Sequence, residues 1–314
     1  MPAGATDNRA ELSYYPPLLR RAQRNQELMS LMGEQHKTLI HAQTDSVSRM
    51  LAGLPRPLLA PPNEADGSGQ EYARVVAISD THSYHENMHL PPGDVLIHAG
   101  DIVGNYGKGY DIVGDFRSFV AWLQGVAASY KDVVFIAGNH DTLVDPDCTH
   151  AEHEEIRRVI ASELPPNVAY IENISCEVMG GRLRIWGSPV TECRQESMGK
   201  RYYSNGFERP RAERARLYGE IPDDGSVDIV VTHGPPAVLS PWGDEVLKHR
   251  IDSMSHPPPF HIFGHDHDLM TRSSSTLGFT WRRRGAQLRS MLRKKVCVGQ
   301  INGVAARCGF LMLH

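Results

Sequence analysis

Cysteine is scarce in this chain. Five residues, Cys148, Cys176, Cys193, Cys297 and Cys308, are scattered over 314 positions, and no C-x-x-C pair occurs. An odd number at loose spacing argues against a disulfide framework and points to a reducing compartment. Long apolar runs are missing too, so no stretch reads as a membrane span. The opening MPAGATDNRAELSYYPP has no apolar core of the signal-peptide kind, and its acidic residues speak against a transit peptide. A cytoplasmic location is the resulting expectation. Asn173-Ile174-Ser175 fits a glycosylation acceptor but reads as incidental without a secretory signal. Charge of one sign is not in excess: the net charge of −4 gives no electrostatic reason to expect a nucleic-acid partner for the chain as a whole. A P-loop is absent as well. The glycine-rich GNYGKG from Gly104 to Gly109 lacks the G-K-[ST] ending and reads as a loop.

What is present suits a soluble globular protein with one large domain or two ordinary ones: 40% hydrophobic and 22% charged residues. From Leu18 to Leu54, apolar residues such as Leu28, Met32, Leu39, Val47 and Met50 recur at helical spacing. Pro55, Pro57, Pro61, Pro62 and the segment NEADGSG then read as a linker. The chain therefore divides into a helical and proline-rich extension over 1–72 and a catalytic domain over 73–314. In the second part strands and helices alternate. Phe116 to Tyr130 reads as an amphipathic helix with Phe116, Phe119, Val120 and Leu123 on one face, and Ala151 to Leu164 as another with an acidic start. Leu183 to Val190 reads as a strand, and VCVGQINGVA and GFLMLH close the chain as strands. Thr191 to Arg216 shows no clear periodicity.

The chain is organised around RVVAISDTH, Arg74 to His82. Val75 to Ile78 form a short apolar run that stops at polar residues, the pattern of a strand buried on both faces. Asp80 and His82 stand just past its end, two positions apart, so both can reach one ion. The pattern recurs in DVLIHAGD, DVVFIAGNHD, VDIVVTHGPP and FHIFGHDHD. Each apolar run closes on Asp, Asn or His beside glycine. Sites in open α/β sheets form at the C-terminal ends of strands, and these ends supply Asp80, His82, Asp101, Asn139, His140, His233, His265 and His267. Glycines 100, 138, 234 and 264 fit tight turns and close backbone approach. His98, inside an apolar run, reads as a structural residue, as do His85, His89, His150 and His153 outside the motifs.

The ordered set D-x-H, GD, GNHD, THG and GHDH resembles the calcineurin-like metallophosphoesterase family over about three quarters of the chain. The text around the motifs looks most like its metallophosphoesterase-domain-containing subgroup, whose members are linked to phosphodiester and cyclic-nucleotide hydrolysis. The resemblance implies an α/β fold: a layered α-β-β-α sandwich of two packed mixed sheets, with the site at the strand ends. It implies that Asp80, His82 and His267 hold one metal, that Asp101 bridges two, and that Asn139, His233 and His265 complete the second. His140 would act on the substrate without binding metal, with Asp141 as support beside it.

Four imidazoles, one amide and two carboxylates suit two divalent transition-metal ions, Mn, Fe or Zn, better than Mg²⁺ or Ca²⁺. Two such ions sharing a carboxylate can supply hydroxide at neutral pH to attack a phosphodiester or phosphomonoester. The expected function is therefore metal-dependent phosphoester hydrolysis of a small phosphate-ester substrate. The alternative is a catalytically weak protein that uses the same fold as a binding scaffold, and the intact ligand set argues against it. A metallo-β-lactamase-like reading fails, because Asp268 directly follows His267 and no histidine follows it. Specificity is expected in the loops after Asp101 and His267 and in Thr191 to Arg216. Segment 271–295 carries Arg272, Arg282, Arg283, Arg284, Arg289, Arg293, Lys294 and Lys295 and no acidic residue; it leaves directly after His267, so its base is expected at the mouth of the site and a polyanion contact is expected through it.

Overall fold

Short runs of valine and isoleucine, each stopped by a polar turn, build two sheets that face one another. The computed structural model describes residues 73–88, 90, 92–104, 111–192, 205–237 and 243–265, together with the strand backbones at 278–281, 295–298 and 307–313. The extension 1–72, His89, His267 and most of segment 271–295 lie outside the described residues.

In the first sheet β1 (Ala73–Ser79), β2 (Val95–Ala99), β3 (Asp132–Ile136) and β4 (Val168–Tyr170) run parallel. In the second, β5 (Ile174–Val178) pairs antiparallel with β6 (Leu183–Ser188). Two short strands, β7 (Thr191–Glu192) and β8 (Glu208–Arg209), pair with each other. The strands β9 (Ile229–Thr232) and β10 (Phe260–Phe263) continue the second sheet parallel to β6, and β11 (Gly278–Trp281) closes its edge antiparallel. The chain returns through β12 (Lys295–Val298) and β13 (Arg307–Leu313) to the first sheet, where β13 lies antiparallel to β1. The sheet orders are β12-β13-β1-β2-β3-β4 and β11-β10-β9-β6-β5. Both closing strands expected from the sequence are therefore present.

The two-residue alternation of each strand sorts its side chains into layers. Val75, Ala77, Val95, Ile97, Val134 and Ile136 point between the sheets and meet Ile185, Ile229, Val231 and Ile262. Val76, Ile78, Leu96, Val133 and Phe135 point the other way, against α1 (Ile112–Val126) and α2 (His153–Ser162). On the far side, Trp186 and Val230 pack under α3 (Arg211–Gly219) and α4 (Glu245–Ser253). Helices, two sheets and helices again make the expected α-β-β-α sandwich, and burial of strands on both faces explains their unbroken apolar runs.

The helix starting near Phe116 begins earlier than its apolar face, at Ile112. Its cap sets the difference: the Asp111 carboxylate accepts from Gly114 N at 2.8 Å. The expected face of Phe116, Phe119, Val120 and Leu123 is the buried one. Asp244 caps α4 in the same way, accepting from Val246 N at 2.7 Å and Leu247 N at 3.3 Å.

Three buried imidazoles make the fold sensitive to acid. Burial pushes His85 down to about 4 against the charges of Glu86 and Asp115, and pushes His98 and His261 down to about 3. A histidine in the unfolded chain titrates near 6.5. Below that pH the unfolded chain binds protons that the native rings refuse, so stability falls as pH drops from about 6.5 towards the native values. The slope at its steepest is about 1.4 kcal/mol per pH unit for each ring. The thermal midpoint is expected to decline between pH 7 and pH 5, and His261→Gln to flatten that decline by one group. A midpoint that is level across the range in both proteins would contradict the neutral rings.

Candidate metal centre

The parallel strands of both sheets end at the same edge, and their polar turns converge there. Asp80 and His82 follow β1, Asp101 follows β2, Asn139 and His140 follow β3, His233 follows β9 and His265 follows β10. The two loops after β1 and β2 run side by side. Asp80 N donates to Gly100 O at 2.9 Å, His82 N to Asp101 O at 3.1 Å and Ser83 N to Ile102 O at 2.7 Å. Four of the candidate donors have left-handed backbone: Asp80 at φ 54°, His82 at 43°, Asp101 at 56° and His265 at 71°. Such conformations cost on the order of 1–3 kcal/mol each in a non-glycine residue and persist where the surroundings over-determine them. Their clustering at these donors is itself a mark of a site.

Among the described residues, two groups of side chains could hold a metal ion, and they share one carboxylate. His82, Asp101 and His140 form one; Asp101, His233 and His265 form the other; in each, the ligand atoms lie within 4.8 Å of one another. Asn139 belongs with the second group, since its Oδ1 lies 3.0 Å from His233 Nε2 and 2.8 Å from His265 Nδ1. Asp101 Oδ1 is 3.2 Å from His233 Nε2, and Oδ2 is 3.7 Å from His82 Nε2. His233 Nδ1 donates to Ala99 O at 2.9 Å, which fixes the tautomer and leaves Nε2 facing the donors.

The electrostatics are those of a buried charge cluster. Burial would raise the Asp101 carboxyl, but His233, His140 and His82 outweigh it and hold the group well below the usual carboxylate range. Burial would likewise lower His233, yet the Asp101 charge and hydrogen bond bring it up to about 9. A cation seated here would take the place of that proton, so metal uptake near neutral pH is linked to proton release.

Asp141 does not face the donors. Its carboxylate accepts from Ile102 N at 3.0 Å, Val103 N at 2.9 Å and Gly138 N at 2.7 Å, tying the loop after β2 to the turn before Asn139. Burial and the Asp101 charge push it up to about 7 against those three donors. Glycine is needed at three of the four expected points, and at Gly264 a Cβ would stand 2.6 Å from Asp80 Oδ2. At Gly100, φ is 92° and a Cβ would stand 2.6 Å from His233 Nδ1; at Gly138 a Cβ would stand 2.3 Å from Asp101 Oδ1. Gly234, expected to serve the same purpose, does not: the nearest atom to a Cβ there is 3.8 Å away.

Those of the expected donors that are among the described residues thus gather at one edge, while His267 lies outside them; three particulars follow. Asp80 lies in neither ligand group; its carboxylate accepts from His265 N at 2.9 Å and from Ser79 Oγ. His140, expected over the substrate, has its ring against that of His82, with centroids 4.7 Å apart. The basic residues Arg282 to Arg284, where a polyanion contact is expected, lie outside the described residues.

A two-sheet sandwich with these donors at its strand ends defines a metallophosphoesterase domain. The chain belongs to the calcineurin-like phosphoesterase family, whose sequence profile matches residues 73–269. It is 29% identical over 219 residues to metallophosphoesterase domain-containing protein 1 of Homo sapiens, covering 63% of this chain and 61% of that protein. It is 32% identical over 218 residues to the UPF0046 protein K07C11.7 of Caenorhabditis elegans, covering 66% and 67%. A match of 34% over 200 residues to the probable rhamnogalacturonate lyase C of Emericella nidulans covers 62% of this chain but only 17% of that protein. No helix among the described residues is long and apolar enough to cross a membrane.

Proposed function

We propose that the chain is a two-metal phosphoesterase acting on a small phosphodiester, a cyclic nucleotide foremost, or on a phosphomonoester. The observation that carries this reading is the pair of donor groups meeting at Asp101. The donor chemistry fits two transition-metal ions: imidazole nitrogens predominate, the amide oxygen of Asn139 adds a neutral donor, and one carboxylate serves both groups. We assign Asp80, His82 and His267 to the first ion, Asn139, His233 and His265 to the second, and Asp101 to both. When bound, such ions supply positive charge to phosphoryl oxygens and make water a nucleophile near neutral pH.

The chain's own residues do the rest. His233, locked by Ala99 O, presents one nitrogen in a fixed direction. His140 is only part-buried, with its backbone N donating to Asp101 Oδ1 at 2.9 Å, and we assign its ring to the substrate side of the site. From there it stabilises the transferring phosphoryl group or gives a proton to the leaving oxygen. A cleft of about 500 Å³ beside this loop is lined by Thr142, Asp145, Asn205, Gly206, Glu208 and Arg209; no metal donor lines it, so we assign it to the part of the substrate beyond the phosphoryl group. Gly206 N donates to Asn139 O at 2.9 Å, so the cleft wall and the donor loop are joined. The cleft draws on the stretch after Thr191 where specificity was expected. We place the catalytic unit at 73–314, with 1–72 outside it.

The test is metal content and turnover together. Purified protein loaded with Mn²⁺, Fe²⁺ or Zn²⁺ is expected to hold two ions per chain and to hydrolyse bis(p-nitrophenyl) phosphate. A panel of cyclic nucleotides, nucleotides and phosphoproteins then fixes the substrate class. Two bound ions without turnover of any ester would instead support the scaffold reading.

A further inference from the structure

We propose that His98 and Thr81 form a positioning strut that holds the Asp80–His82 loop against the Asp101 loop, and that metal affinity depends on it. The inference rests on the reading of these loops as metal-binding. His98 Nδ1 accepts from Gly100 N at 3.2 Å, and His98 Nε2 lies 3.0 Å from Thr81 Oγ1. Thr81 Oγ1 in turn donates to Ile102 O at 3.3 Å. Gly100 N can only donate and Ile102 O can only accept, so the chain of bonds has one direction. Nε2 carries the ring proton, the hydroxyl accepts it, and the hydroxyl proton goes to the carbonyl.

The strut's contacts bracket the donors. Thr81 sits between Asp80 and His82, and its two partners reach Gly100 and Ile102, either side of Asp101. Thr81 and His98 are fully buried and touch no substrate space. The ring packs edge-on against Phe119 of α1, with centroids 5.4 Å apart, so the core fixes its plane. Three of the bracketed or adjoining residues, Asp80, His82 and Asp101, have left-handed backbone. A loop that relaxed from that conformation would turn its carboxylate or imidazole away, and the strut opposes the relaxation from behind. The second sheet carries the hydroxyl half of this arrangement only: His261 Nε2 lies 2.8 Å from Thr232 Oγ1, which donates to Gly234 O at 2.7 Å across the turn that carries His233, while His261 Nδ1 makes no hydrogen bond among the described residues.

Thr81→Val keeps the shape and removes the hydroxyl, while Thr81→Ser keeps the hydroxyl. Full-length proteins are titrated with Mn²⁺ by calorimetry, and the spin-coupled spectrum of an ion pair is followed by electron paramagnetic resonance. Thr81→Val is expected to weaken Mn²⁺ binding by about 10–100-fold, the range for loss of a partner behind a ligand, and to diminish the coupled signal. Thr81→Ser is expected to stay within about twofold of the wild type. Should Thr81→Val fail to fold, Thr81→Ala gives the same comparison without the second methyl group against His98. Wild-type-like Mn²⁺ binding by the hydroxyl-free variant, or equal losses in the serine and valine variants, overturns the strut alone. Wild-type protein that takes up no Mn²⁺ overturns the metal reading and the purpose of the strut with it.

Discussion

Asp101→Asn is expected to remove bound metal and hydrolytic activity together, and to do so more completely than a change at any other single donor. Asp101 alone among the described residues belongs to both ligand groups. One oxygen lies 3.2 Å from His233 Nε2 and also accepts from His140 N; the other faces His82 Nε2 at 3.7 Å. Asparagine keeps the shape but replaces one oxygen with an N–H donor, which must then face a ligand nitrogen or a cation. It also deletes a charge in a site where burial makes electrostatic interactions strong. Loss of a group behind a ligand costs about 10–100-fold in metal affinity, and loss of the shared ligand is expected to cost more. Metal per chain after dialysis, measured by elemental analysis, is expected to fall towards zero, with turnover of bis(p-nitrophenyl) phosphate at background. His233 gives a second readout. Without the Asp101 charge, burial is no longer offset, and the ring is expected to leave its position near 9 and titrate lower, a shift that the imidazole proton resonances report. Two tightly held ions with normal turnover would refute the assignment.

Much of this site was legible in the sequence because strand ends are legible. A run such as Val75 to Ile78 has one physical reading, a strand buried on both faces, and parallel strands deliver their C-terminal turns to one edge. Five such runs, each stopped by Asp, Asn or His, place their polar residues together before any coordinate is known. What escaped the sequence is held by backbone or by buried charge. The helix α3 was not read because its inner face carries Arg214. That guanidinium is buried and donates to Arg209 O at 2.7 Å, while contacting Glu192 at 3.1 Å and Asp244 at 2.9 Å. A charged residue on the core face destroys the apolar periodicity that marks a helix. The work of Asp141 was equally hidden, since its partners are three backbone N–H groups that no side-chain pattern records. His98 did leave a signal: a polar residue inside an apolar strand, directly before the Gly-Asp pair. Sequence reasoning identifies it as structural, and the structure adds its bonds to Gly100 N and Thr81 Oγ1. Gly234 stands for the opposite error, a glycine assigned a steric purpose by analogy with Gly100 and Gly138 where the space is open.

His140→Ala is expected to leave the ions in place and lower kcat by about two to four orders of magnitude. His140 sits beside the first ligand group, with its ring edge-on to that of His82 and its backbone N–H on Asp101 Oδ1. Unlike His82 and His233, which are fully buried, it is only part-buried. That placement allows two functions, holding an ion with His82 and Asp101 or acting on the substrate, and the variant separates them. If the ring acts on substrate, metal content is unchanged, and the loss depends on the leaving group. An alkoxide, such as a ribose hydroxyl leaving from a cyclic nucleotide, needs a proton as the bond to phosphorus breaks. A p-nitrophenolate leaves without one. The rate with the cyclic nucleotide is therefore expected to fall further than the rate with the nitrophenyl diester, and added imidazole to restore part of it. If instead one ion per chain is lost and both substrates slow alike, His140 is a ligand, and the first group of three is its coordination sphere.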